Sequence, residues 1–330
     1  MNILWLAQNR PDNISIGRQI LADYLRQNGF DVTITSTTPK AVATEATRLR
    51  SYDLIIGTTR AGAIAGMVLK RLGNLPLVVD NIDPMRQFEE QSPLLAPPVR
   101  ALENRALRVA DHVLYVYPEE EERINRYASS YSQTDFGVEY EMFANPDPAS
   151  IERASLRLDS LDLNDNVAIY VGGLDPIYHI EEMIESMEYL DGWSLVIIGT
   201  GSLNEFTRTA AEQMENVEFL GTVPHEDVPG YLYLSDVGLC LVDDARTLKV
   251  LEYMAAGLPV VQLDGAARQR FDARVAFSTA NPEDIADNIE QSIVFSHPNR
   301  LQEDIQELSW EQIAEDYRNA IETIASYVDD

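Results

Sequence analysis

The feature that most constrains this chain is a pattern repeated along its length. A short run of consecutive apolar residues is followed by a polar turn and then by an amphipathic stretch. In the first half the runs are Ile3–Ala7, Asp31–Thr35, Leu54–Gly57, Leu77–Asp80 and His112–Val116. Helical patterns lie between them at Ile16–Asn28, Ala41–Arg50, Ala61–Leu72 and Val99–Ala110. Several runs are apolar throughout rather than alternating. Such strands are buried on both faces, which means a parallel sheet covered by helices on each side. The spacing is β-α-β throughout.

The second half repeats this grammar. Strands are expected at Val167–Val171, Ser194–Ile198, Val217–Leu220, Gly238–Val242 and Pro259–Leu263. Helices are expected at Ile180–Tyr189, Leu203–Met214, Val228–Leu234, Leu248–Ala256 and Pro282–Phe295. Between the halves, NPDPAS at Asn145–Ser150 and the polar stretch to Asn166 read as a linker, with two prolines and no periodicity. The 330 residues then divide into two doubly wound α/β domains, 1–150 and 151–308. A last helix over 309–330 carries an apolar stripe of Ile313, Tyr317, Ile321, Ile324 and Val328 that must dock on something. Open sheets of this kind bind ligands at strand C-termini, and helix N-termini favour phosphate.

Charge narrows the partners. The formal net is −29, from 54 acidic and 25 basic residues. Residues 1–150 hold 15 basic and 19 acidic side chains; residues 151–330 hold 10 and 35. A surface of that sign disfavours nucleic acid. Only Lys40, Lys70 and Lys249 are lysine, against 22 arginines. Acidity with so little lysine suits a protein in molar salt, where a Debye length of about 3 Å screens self-repulsion. Cys240 is the lone cysteine, so neither an intrachain disulfide nor a multi-thiolate zinc site is available. The opening MNILWLAQNR has no basic leader and the apolar runs are short, so a soluble, cytoplasmic chain is expected.

The segment richest in chemistry is VDDARTLKVLEYMAAGLPVV, Val242–Val261. Gly257 suits a helix C′ position and Pro259 stops the helix. Arg246, Lys249 and Glu252 are spaced by three, on one side of that helix. A basic pair at a helix N-terminus makes a diphosphate site. Glu252, one turn on, can accept two hydroxyl hydrogen bonds from a sugar diol. Lys249 is the only lysine after Lys70 in a chain that avoids the residue, which argues against an ornamental ion pair. Asp243 and Asp244 could N-cap the helix, or Asp244 could meet a ligand.

Here the sequence resembles the GT-B glycosyltransferases, family 4 (group 1) above all. The likeness rests on Asp244, seven further residues, Glu252, and then Tyr253-Met-Ala-Ala-Gly-Leu-Pro-Val-Val261, with Lys249 in a K-x-x-E-Y-M-A-A-G pattern. It extends to YVGGL at 170–174, LVIIGTGSL at 195–203, VEFLGTVPHEDVPGYLYLSDVGL at 217–239, LENRALRVADHVLYV at 102–116, FGVEYEMF at 136–143 and SWEQIAEDY at 309–317. The resemblance implies two Rossmann-like domains with parallel sheets facing a central cleft. The first would take the acceptor and the second the nucleotide-sugar donor, and the final helix would cross back to the first. It implies sugar transfer to a glycan, glycolipid or lipid-linked hydroxyl, retaining and metal-independent, in surface polysaccharide or glycoprotein glycan assembly. No resident cofactor is expected.

By the same resemblance Glu252, Arg246, Gly172, Gly173, Gly199, Gly201 and Gly17 would bind donor, and Asp244 and Lys249 would act at the reacting centre. Asp83 would be the base if the enzyme inverts. Its plainer reading is a turn before Pro84. Arg10 and Arg18 flank the loop before Gly17, and His112 begins a strand and is assigned no catalytic part. Arg100, Arg105 and Arg108 could bring the first domain to a membrane surface. The chain departs from the family at Gly173 and Tyr178, where an Arg and a Lys usually bind donor phosphate. That departure supports the alternative of a catalytically silent GT-B subunit that binds donor or a partner without turnover.

Overall fold

The apolar runs form parallel strands, as burial on both faces requires. In the computed structural model, which describes residues 1–8, 13–271, 274–295 and 298–328, they make two six-stranded sheets. The first contains β1 (Asn2–Ala7), β2 (Asp31–Ser36), β3 (Leu54–Thr58), β4 (Leu77–Asn81), β5 (His112–Tyr115) and β6 (Tyr131–Gln133), in the order β2-β1-β3-β4-β5-β6. The second contains β7 (Asn166–Gly173), β8 (Trp193–Thr200), β9 (Val217–Gly221), β10 (Val237–Cys240), β11 (Val260–Leu263) and β12 (Ala276–Ser278), in the order β12-β11-β10-β7-β8-β9. All described pairings are parallel. The order turns back between β1 and β3 in one sheet and between β7 and β10 in the other. Those switch points open a crevice at the strand C-termini.

The chain divides into two units, Met1–Gly137 with Trp310–Asp330, and Val138–Ser309. In the first, one sheet face buries Leu4, Leu6, Ile55, Leu77, Val79 and Val113 against Ala63, Met67, Ala106 and Leu107 from the covering helices. The helix Trp310–Val328 belongs to this unit and packs its Tyr317 on Trp5 of β1, ring centroids 5.6 Å apart. In the second unit both faces are covered. Ile169, Val196, Cys240 and Val260 face one cluster with Leu251 and Met254, and Ala168, Leu195, Leu239 and Val261 face another with Ile285 and Ile289.

The expected linker is a correction. Pro148–Leu158 is a helix: Pro148 takes its first position and the Asp147 carboxylate accepts the Ala149 N–H at 2.9 Å. Its Ala154 and Leu158 join the second core, so the chain passes between units at 137/138 and not at 150. With that boundary, 16 basic and 22 acidic residues give the first unit −6, and 9 and 32 give the second −23. The acid asymmetry therefore follows the folded units. Among the described residues no helix is long and apolar enough to cross a membrane.

Candidate active site

The segment Val242–Val261 lies at the switch point of the second sheet. β10 ends at Cys240, and the helix Leu248–Ala255 begins after a loop. The helix closes as its sequence suggests: Gly257, at φ 73°, donates to Met254 O and Leu258 donates to Tyr253 O. Its start differs from expectation. Thr247, not Asp243 or Asp244, is the cap residue, and it makes no side-chain bond to the helix N–H groups. Instead Asp244 Oδ1 accepts the Arg246 N–H at 2.8 Å, and Asp243 Oδ1 accepts the Ala266 N–H at 2.7 Å. Gln262 Nε2 donates to Asp244 O at 3.1 Å, and Arg270 Nη1 donates to Ala245 O at 2.7 Å. Four bonds thus hold the loop that presents buried Arg246.

Lys249 stands in the first turn of this helix and reaches the end of β7. Its Nζ lies 3.4 Å from the Tyr170 hydroxyl, which donates its own proton to Gly173 O at 2.5 Å. The ammonium is also 4.0 Å from the centroid of the Tyr178 ring and 5.1 Å from that of Tyr170. A Cβ on Gly172 would come within 2.6 Å of Nζ, so a side chain there would push the lysine tip from its present place. Gly199 and Gly201 answer to the backbone itself. A Cβ on Gly199 would meet Gly172 O at 1.8 Å, and one on Gly201 would meet Leu174 O at 2.4 Å. The strand ends of β7 and β8 therefore close on each other with no side chains between them. Helix N–H groups, an ammonium and bare strand backbone converge on one place, a setting for an anion.

Burial pushes the Lys249 ammonium below its usual range, partly offset by Cys240, Glu252 and Asp244. Burial pushes the Glu252 carboxyl up, against the pull of His225 and Lys249, while Glu139 adds to the rise. His225 is raised chiefly by its bond to Glu139, 3.2 Å from Nε2 to Oε2. The Cys240 thiol, buried in β10, is pushed up to about 11, so it is inert as a nucleophile at neutral pH.

The other sequence candidates lie in the first unit. A Cβ on Gly17 would stand 2.5 Å from the Trp310 ring, so packing also calls for a glycine here. Asp83 pairs with Arg60, Nη1 to Oδ2 3.6 Å. Arg18 is buried with its Nε 2.9 Å from Asp80 Oδ2. Arg10 lies outside the described residues. His112 bridges two serines, Ser130 at 2.8 Å and Ser132 at 2.9 Å, in a structural tie. Sequence reasoning named Asp244, Arg246, Lys249, Glu252, the three glycines Gly172, Gly173 and Gly199 at the ends of β7 and β8, and Gly201 just past β8. It missed Tyr170, His225 and Glu139, and it read Tyr178 only as a lost cation.

Residues 165–293 match the family model described as Glycosyl transferases group 1. No curated protein matches. Among solved structures, HepE of Anabaena in complex with UDP-glucose is similar at 17% identity and a TM-score of 0.73, covering 99% of this chain and 100% of that one. Sucrose-phosphate synthase from Thermosynechococcus elongatus is similar at 17% identity and a TM-score of 0.77, covering 99% and 100%. WaaG, a glycosyltransferase involved in lipopolysaccharide biosynthesis, is similar at 16% identity and a TM-score of 0.62, covering 97% and 95%. The match to the group 1 family model thus falls within the second unit, and the chain as a whole has the GT-B glycosyltransferase fold.

Proposed function

We propose that this protein is a family 4 glycosyltransferase that moves a sugar from a nucleoside-diphosphate donor to a hydroxyl of a glycan, glycolipid or lipid-linked acceptor. The carrying observation is the Lys249 ammonium beside Gly172 and Gly173, at an uncapped helix start and a sheet switch point. Neighbours of this fold crystallised with UDP and UDP-glucose support a nucleotide-sugar donor. Lys249 and Arg246 neutralise the departing diphosphate, aided by the helix dipole and without a metal. Glu252 accepts from the ribose diol, and Asp244 contacts the donor sugar. Gly172, Gly173, Gly199 and Gly201 let strand backbone approach the diphosphate.

In the retaining course the bond from sugar C1 to the phosphate oxygen breaks as the acceptor oxygen bonds C1 on the same face. The acceptor proton passes to the leaving phosphate oxygen, so no side-chain base is needed. In the inverting course Asp83 takes that proton. In this reading Asp83 belongs to the acceptor side, and Gly17 lets backbone approach the donor phosphate. The exposed Leu94 (92%) and Leu95 (61%), on the segment before Arg100, support membrane-surface contact by a cytoplasmic protein in surface-glycan assembly. The acid surface and scarce lysine support a cell interior of molar salt.

One observation favours the silent subunit. Position 178 holds a ring instead of a cation, and Lys249 is already engaged with it. Incubation with a panel of nucleotide-sugars in molar KCl separates the two. Release of nucleoside diphosphate, lost in Lys249→Ala and Glu252→Ala, supports the enzyme. Tight nucleotide binding with no turnover on any acceptor supports the subunit. Failure to bind any nucleotide overturns both.

A further inference from the structure

Lys249 is a half-buried cation with an unusual set of partners. Among the described residues no carboxylate forms an ion pair with its Nζ. The Tyr170 oxygen touches it at 3.4 Å, and two ring faces flank it at 4.0 and 5.1 Å. Ring quadrupoles attract an ammonium, the more so where water is excluded. The rings are themselves held. Tyr170 donates to Gly173 O and so turns its lone pairs to the lysine. Tyr178 sits in a turn whose Asp175 Oδ1 accepts from both the Ser202 N–H and hydroxyl, at 3.1 and 2.7 Å. His179, the next residue, is fixed at φ 53°, a left-handed conformation that side chains disfavour. A left-handed residue at the end of a turn held by Asp175 marks a segment whose backbone shape is over-determined.

We infer that Tyr178, together with Tyr170, is a positioning residue: the two ring faces hold the Lys249 ammonium at the Gly172–Gly173 strand end, aimed at the diphosphate of the donor. This rests on the nucleotide-sugar reading of the site. The clamp keeps the lysine charged in a place where burial favours the neutral amine. Among the described residues Glu252 and Asp244 act on the ammonium only from beyond ion-pair distance, so an incoming diphosphate meets it with no internal ion pair to break. Tyr178 needs its ring for this and not its hydroxyl.

The test is calorimetric titration of UDP, GDP and ADP, following whichever binds the parent tightest from neutral to alkaline pH in molar KCl. The variants are Lys249→Ala, Tyr178→Phe and two ring-less substitutions, Tyr178→Leu and Tyr178→Met, so that one folded member of the pair suffices. Ring loss weakens binding by about tenfold, between the sizes of an exposed and a desolvated cation–π contact. It also moves the alkaline loss of affinity to lower pH, because the ammonium has lost what kept it charged. Tyr178→Phe restores both. A merely structural role for Tyr178 would weaken binding without moving the alkaline limb. If the ring-less variants bind like Tyr178→Phe, or weaken with an unmoved limb, while Lys249→Ala still loses affinity, the clamp is wrong and the donor site stands. If no nucleotide binds the parent, the donor reading falls and the clamp with it.

Discussion

The Tyr317 hydroxyl donates to Asp80 Oδ1 at 2.6 Å, tying the helix Trp310–Val328 to β4 within the first unit. Asp80 Oδ2 accepts from Thr58, whose own hydroxyl accepts the Trp5 indole N–H, each at 2.7 Å. Arg18 closes the cluster from the helix after β1. All five side chains are buried. Tyr317→Phe leaves an acceptor short of a partner and should lower stability by about 1–3 kcal/mol. Asp80→Ala strands the Arg18 guanidinium and should lower it further, by about 3–5 kcal/mol. Denaturant unfolding of both variants checks the order. Equal stability of Tyr317→Phe and the parent would show that the hydroxyl bond is idle.

Gly17 and Gly137 both face the Trp310 ring, where an added Cβ would approach to 2.5 Å. Gly17→Ala and Gly137→Ala should each destabilise by about 1–3 kcal/mol through overpacking. A melting temperature unchanged in both would mean that the helix yields freely, and that Gly17 is glycine for some other reason.

The pH dependence of nucleotide binding should be bell-shaped. Lys249 binds as an ammonium, so affinity falls as pH rises through its lowered value, beginning below the usual lysine range. Glu252 accepts as a carboxylate, so affinity falls as pH drops through its raised value, beginning above the usual glutamate range. His225 pulls the Glu252 carboxyl down when charged. His225→Gln should therefore move the acid limb to higher pH. Titration calorimetry across pH reads both limbs, and an acid limb that stays put excludes coupling between the two residues.

Salt should stabilise the fold. With −23 on the second unit, self-repulsion falls as the Debye length shrinks from about 10 Å at 0.1 M to about 3 Å at 1 M. Thermal unfolding should shift upward by several degrees over that range in KCl. A flat or falling melting temperature would leave the lysine shortage without its salt explanation.

Much of the fold was legible because a parallel strand buried on both faces writes itself as an unbroken apolar run. β1, β3, β8 and β10 carry such runs. The three-residue edge strands β6 and β12 were not legible, since a pairing that short needs only a neighbour and no pattern of its own. The helix Pro148–Leu158 was misread because its proline looks like a breaker and works as an opener. The site divides in the same way. Arg246, Lys249 and Glu252 share one local segment, and spacing puts them together. The contact of Lys249 with Tyr170 spans 79 residues and arises only from the adjacency of β7 and β10. No periodicity in a single chain encodes it.

The central claim is that a nucleoside diphosphate sits where Lys249 meets the ends of β7 and β8. A structure of the protein crystallised with UDP tests it most directly. The account expects a phosphate oxygen about 3 Å from Lys249 Nζ, over the Gly172–Gly173 strand end, with the ribose at Glu252. Diphosphate bound elsewhere, with Lys249 still closed between Tyr170 and Tyr178 and touching no ligand, would contradict it.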